Sequence, residues 1–193
     1  MPFERQFDEA RVLDSAMRVF WARGYQATSV SDLVEATGLH RGSLYAAYSD
    51  KRGVFRAALS HYDRVHRELF LAGIARRHRA CAAILKTFDE AGRPSEETGA
   101  PSGCLLVNTA LELSPHEPEI RALVQESLGA VEAFFAERLS EAQADASIPA
   151  AVCVETRAKA LLGLFLGLRV ATRAGSDPSV IKAIKDQAAA MLT

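Results

Sequence analysis

The stretch TSVSDLVEATGLHRGSLYAAYSDK, residues 28–51, constrains this chain more than any other. It holds two short helical patterns separated by a glycine. Thr28 or Ser29 supplies an N-cap ahead of Val30, Leu33 and Val34, and Gly38 supplies the stop. After a turn of three to four residues, a second short helix spans about 41–47, with Leu39 and Leu44 placed to turn inward against Val30, Leu33 and Val34. A longer helix over about 8–23 comes first: Val12, Leu13, Ala16, Val19 and Phe20 follow the i, i+3, i+4 spacing of a buried stripe, and Gly24 ends it. Two short helices joined by a tight glycine turn, after a longer supporting helix, match the helix-turn-helix arrangement.

The rest of the chain is read in the same way. Asp50 caps a long fourth helix that begins at Lys51 and carries Val54, Phe55, Ala58, Leu59 and Tyr62. Further helices are expected near 77–91, 103–113, 118–144, 148–174 and 178–192, with Pro118, Pro149 and Pro178 at junctions where a fixed φ suits the first helical turn. EAGRPSEETGAPSG is the one clear loop, and no alternating strand pattern or internal repeat is evident. The expected fold is all-α: an N-terminal three-helix bundle with a helix-turn-helix over residues 1–48, then a larger helical domain for sensing and dimerisation over residues 49–193.

In that arrangement the second short helix lies in the DNA major groove while the first packs across it. With Leu39 and Leu44 turned inward, His40, Arg41, Ser43 and Tyr45 point outward. Arg41 has the two-pronged geometry that matches guanine, and Gly42 permits close backbone approach. Thr28, Ser29 and Lys51 stand at helix starts, where hydroxyls, an ammonium and the positive helix end favour phosphate, and Tyr48 adds a hydroxyl. Bulk charge gives no help. The net charge is −1; residues 1–67 carry 10 Lys+Arg against 8 Asp+Glu, and residues 68–193 carry 13 against 16. Recognition must therefore rest on a few placed groups.

The same region resembles the DNA-binding part of the TetR family of bacterial transcriptional regulators. The resemblance is carried by a helix ending F-x-x-x-G-Y, a Thr-Ser start to the second helix, A-x-x-G, then G-S-L-Y-x-x-Y and a lysine opening the fourth helix. These elements occur in order between residues 12 and 55, about a quarter of the chain. The resemblance implies a homodimeric repressor that holds a palindromic double-stranded operator with two such heads and leaves it when a second domain receives a signal. Many members carry phenylalanine where this chain has Tyr48.

The C-terminal half adds two features. AKALLGLFLGLRVA is apolar nearly all round, with Gly163 and Gly167 four apart, so it needs burial on more than one side. With Ile181 and Ile184 of the last helix, residues Leu162, Gly163, Leu166, Gly167 and Val170 are the expected homodimer face. PSGCLLVNTALEL places Cys104 in the first turn of a helix, where a thiolate is favoured, with Asn108 and Glu112 following at i+4 and i+8. These three are the candidate sensing residues. The G-C-L-x-x-N start also resembles a subgroup of TetR-like repressors that sense electrophiles or oxidants through a cysteine. Two signals stay open: thiol modification of Cys104, or reversible binding of a small, largely apolar molecule walled by Phe88, Phe134, Phe135 and Phe165.

Other classes fare worse. Cys104, Glu112 and His116 supply the residue types of a thiol enzyme, but no strand-helix nucleophile elbow precedes the cysteine. Cys81, Cys104 and Cys153 lack the spacing of a disulfide framework or a metal site, and no cofactor is called for. The longest apolar run, residues 160–168, is too short to cross a bilayer, and MPFERQFDEARV does not read as a secretory signal. A cytoplasmic protein without a membrane partner is expected.

Overall fold

In the computed structural model, described here for residues 7–94 and 101–193, the chain is all-α. Helix α1 covers Glu9–Arg23, capped by the Asp8 side chain, which accepts the Arg11 N–H. It buries Val12, Ala16, Met17, Phe20 and Trp21 and stops at Gly24, whose φ of 84° carries the chain away. Helix α2, Val30–Thr37, opens with a reciprocal capping box: the Ser29 hydroxyl accepts the Asp32 N–H while the Asp32 carboxylate accepts the Ser29 N–H. Gly38 closes it in the left-handed conformation at φ 71°, and α3 follows at Arg41–Tyr48.

Asp50 caps α4, Lys51–Tyr62, by accepting the Gly53 N–H. Gly53 is fixed by packing: a Cβ there would overlap the carbonyl oxygen of Tyr48, so the end of α3 lies directly on the first turn of α4. The helix then widens into a π-helical segment, Asp63–Glu68, and continues as α5, Leu69–Arg77. No local sequence signal marks an element over residues 63–76, and the helix expected near 77–91 begins instead at Ala80, as α6 (Ala80–Ala91).

Beyond α6, the expected loop falls partly outside the described residues, at 95–100. Helix α7 is Leu105–Glu112, two residues shorter at its start than expected, which makes Cys104 its N-cap rather than a first-turn residue. Helices α8, Pro118–Ala144, and α10, Pro178–Ala190, begin at the expected prolines. Helix α9 covers Val154–Arg173, so the expected start at 148 is corrected. Ala146 turns the chain at φ 60°, and the Gln143 amide donates to the carbonyls of Pro149, Ala150 and Val152, satisfying backbone that is not helical.

Two clusters of buried side chains organise these helices. The first joins α1–α4, including Phe20, Leu33, Leu44, Phe55 and Leu59, to Cys104, Leu105, Leu106 and Val107 at the start of α7 and Ile120 and Val124 of α8. The second is built from α5, α6, α8, α9 and α10 around Ile84, Phe88, Phe135, Leu139 and Leu161. The N-terminal helices thus share one buried cluster with α7, and this sharing positions the site.

Candidate nucleic-acid interface and adjoining cavity

The outer surface of α3 is formed by the residues that the pattern places there. His40, Arg41, Gly42 and Ser43 are exposed, Leu44 is fully buried and Leu39 packs partly against the first cluster. The Arg41 guanidinium lies 5.4 Å from the Tyr45 ring centroid, so the half-buried tyrosine braces the arginine. Gly42 would meet nothing within 4 Å if it carried a Cβ, so the protein's own packing gives no reason for a glycine there. Lys51, also half-buried, sits with its Nζ 4.3 Å above the Tyr25 ring.

Three expected roles change. Tyr48 is 7% exposed and packs in the first cluster, because i, i+4 spacing puts it on the face of Leu44. Its ring anchors α3 instead of reaching outward. Thr28 is buried, with its hydroxyl donating to the Gly24 carbonyl at 2.6 Å, which closes the α1–α2 turn. Ser29 remains exposed but is engaged in the capping box. The hydrogen bonds from Ser29, followed by the Arg23 guanidinium, hold the Asp32 carboxyl at a pKa of about 2, so it stays charged.

Behind the head lies a cavity of about 200 Å³. Its walls include Trp21 from α1, Tyr62 at the end of α4, His66 and Arg67 from the π-helical segment, Cys104, and Phe165 and Arg169 from α9. The rings of Tyr62 and His66 stack at 5.0 Å, and Trp21 meets Tyr62 edge-on at 4.9 Å. The Tyr62 hydroxyl donates to Cys104 Sγ at 3.3 Å. Burial, with the neighbouring Cys104 second, pushes the Tyr62 phenol well above its ordinary pKa, so it stays protonated and available as a donor. Burial and then the Arg18 charge hold the His66 imidazole below its ordinary pKa, and its Nε2 is buried without a hydrogen-bond partner. Arg169 donates to the carbonyls of Ala91 (2.7 Å) and Gly103 and fixes the cavity rim.

Cys104 alone of the three candidate sensing residues lines this space. The half-buried Asn108 lies on α7 outside the lining, its Nδ2 buried without a hydrogen-bond partner. Glu112 is turned to the head: its carboxylate accepts the Tyr25 N–H at 3.0 Å and the Gln26 N–H at 2.7 Å. Of the four phenylalanines expected as walls, only Phe165 lines the cavity; Phe88, Phe134 and Phe135 are buried against one another in the second cluster. Trp21, His66 and Arg169 were missed as wall residues. Trp21 lies beside the α1 stripe without belonging to it, and none of the three carries a local signal for a cavity.

A family profile described as "Bacterial regulatory proteins, tetR family" matches residues 12–58, and one described as "Tetracyclin repressor-like, C-terminal domain" matches residues 80–188. The chain belongs to the TetR family. The N-terminal match spans α1 to α3 and most of α4, and a TetR chain is a DNA-binding transcriptional regulator rather than an enzyme. Among relatives, the HTH-type transcriptional repressor ComR of Escherichia coli (strain K12) is 32% identical over 172 residues, 89% of this chain and 82% of ComR. The HTH-type regulator YezE of Bacillus subtilis (strain 168) is 31% identical over 132 residues, 68% of each chain. Among solved structures, a cysteine-substituted TetR family regulator CifR in complex with 26-bp double-stranded operator DNA superposes with a TM-score of 0.84. It is 29% identical, with 99% of this chain and 100% of CifR covered.

Proposed function

We propose that this TetR-family chain is a homodimeric repressor that holds a palindromic operator through two heads and leaves it when a small, largely apolar molecule fills the cavity. Trp21 carries this reading: it belongs to α1 of the head yet forms part of the cavity wall, so an occupant touches the head directly. ComR, a relative at 32% identity, is named a repressor, and CifR binds a 26-bp operator. Residues 1–48 act as the reading head and residues 49–193 as the sensing and dimerising part, in the cytoplasm with the DNA they control. His40, Arg41 and Ser43 face bases, Gly42 lets the backbone approach, and Tyr45, Ser29 and Lys51 steady the phosphate side.

Dimerisation is supported by α9 and α10. Gly163, Gly167 and Val170 are exposed on one side of α9, and a Cβ at either glycine would meet nothing within 4 Å. Leu162, Leu166, Ile181 and Ile184 flank them, half-buried. A second copy laid on this face removes apolar area from water and brings two helices close. Dimeric readers need their heads spaced by whole turns of B-DNA, so a small displacement at the cavity releases both. Helix α4 runs from Lys51 at the head to Tyr62 at the cavity and is one path for that displacement.

The second reading is covalent: an electrophile or oxidant modifies Cys104. The Tyr62 hydroxyl bound to its sulfur favours it. Thermal shift and operator release with apolar small molecules and, separately, with N-ethylmaleimide, in wild type and Cys104→Ser, separate the two. Release that survives in Cys104→Ser supports reversible binding; release abolished in Cys104→Ser supports modification. If neither treatment releases operator in wild type, the cavity is not the sensor.

A further inference from the structure

Helix α7 has one end at the cavity and the other on the reading head. At its N-cap, Cys104 Sγ accepts the Tyr62 hydroxyl at 3.3 Å beside the cavity. At its last residue, the Glu112 carboxylate accepts two successive backbone amides, Tyr25 at 3.0 Å and Gln26 at 2.7 Å. Those amides lie immediately after α1 and just ahead of Ser29, the N-cap of α2. Both carboxylate oxygens are engaged, which fixes the orientation of the peptide as well as its position; charge-assisted bonds of this kind are the stronger ones. Gly24 leaves room for the grip, since a Cβ there would stand 2.9 Å from Glu112 Oε2.

Between its ends α7 is stiff and well anchored. Eight helical residues span about 12 Å, and Leu105, Leu106, Val107 and Thr109 are buried. The turn that Glu112 holds is itself closed by the Thr28 hydroxyl on the Gly24 carbonyl (2.6 Å), so a shift at residues 25–26 reaches the start of α2 without slack.

We propose that Glu112 is a positioning residue for operator reading: its grip on the α1–α2 turn makes α7 a strut that sets the placement of α2 and α3 and transmits events at Cys104 to them. The transmission half rests on the reading that the signal acts at the cavity; the positioning half does not. The strut is a path separate from α4, because it enters the head at the α1–α2 turn.

The test uses the full chain in a Cys81→Ser, Cys153→Ser background, with Glu112→Gln and Glu112→Asp as variants. The first variant replaces an acceptor oxygen with a donor, and the second keeps the charge but is too short to reach both amides. N-ethylmaleimide serves as the probe: the Cys104 sulfur adds to one carbon of the double bond, and the thiol proton ends on the other. Mass spectrometry gives the extent of addition, and anisotropy on a footprinted operator gives affinity. Unmodified Glu112 variants are expected to bind operator about 5–150-fold more weakly than the parent, the ordinary range of a coupling between sites. Alkylation of the variants, to the same extent as the parent, is expected to add little further loss, and amide exchange is expected to quicken at Tyr25 and Gln26. A merely structural role predicts instead that the losses multiply, as they do for independent sites. Parent-like operator affinity in both variants, or a full additional loss on alkylation, overturns the strut. If alkylation leaves the parent bound while the unmodified variants are weakened, the cavity reading fails and the positioning role stands.

Discussion

At the residue scale, α3 separates groups that serve the fold from groups that face outward. Leu44 and Tyr48 are buried; Arg41 and Gly42 are exposed and have no packing task beyond the stacking of Arg41 on Tyr45. Arg41→Ala is therefore expected to weaken operator binding by about 1–3 kcal/mol, the worth of a two-pronged base contact, while thermal stability moves by less than about 0.5 kcal/mol. Gly42→Ala sharpens the contrast. Alanine fits without contact and favours the helix by about 1 kcal/mol, so the variant should melt no lower than wild type and still bind operator less well. Unchanged operator affinity in both variants would remove α3 as the reading surface. His66 offers a pH test. Its pKa is lowered in the fold, chiefly by burial, so below its ordinary value of 6.5 the unfolded chain binds more protons than the folded one. Stability should fall as pH drops through about 6.5 and below, and His66→Phe, which keeps the ring stack, should flatten that slope between about pH 7 and 5 in thermal melts.

At the scale of elements, the sequence carried most where the determinants were local. The α1 helix with its Gly24 stop, the Ser29 N-cap (one of the two offered), Gly38 and the prolines opening α8 and α10 are all set by neighbours within a turn or two, and they stand where the pattern put them. The π-helical segment and α5 carry no side-chain cap, and their glycine, Gly73, lies inside α5 rather than at an end, so nothing local marks an element over residues 63–76. The cavity was harder still. Trp21, Tyr62, Cys104 and Arg169 meet only because four separate helices converge, and the Glu112 contacts span 86 and 87 residues of sequence. Amphipathic spacing on α7 grouped Cys104, Asn108 and Glu112 on one face; the fold gives the first to the cavity and the last to the head. For α9 the pattern did report a face in need of cover. Gly167→Leu should leave the monomer folded, since nothing lies within 4 Å of its Cβ direction and leucine favours a helix over glycine. It should also shift the protein from dimer to monomer in sedimentation at micromolar concentration. A dimer that survives this change would place the interface elsewhere.

At the scale of the whole molecule, a nearly neutral chain must bind DNA through a few placed groups. No helix among the described residues is long and apolar enough to cross a membrane, and no group of three or more metal-ligating side chains occurs among them. What the fold offers instead is N-terminal helices fastened to the rest through a shared cluster, the Glu112 grip and the Arg173 bond to the Ala22 carbonyl (2.7 Å). In the proposed dimer, ties at several points would make head placement answer to the state of the helical domain, as release from a spaced pair of half-sites requires. The most direct measurement is footprinting of the purified protein on the promoter of its own and neighbouring genes across a salt series. Protection of a palindromic site whose affinity drops about 10³- to 10⁵-fold between roughly 50 and 200 mM salt is the predicted result, from neutralising about 6 to 10 phosphates with a dimer. Protection that is absent, or indifferent to both sequence and salt, would contradict the account.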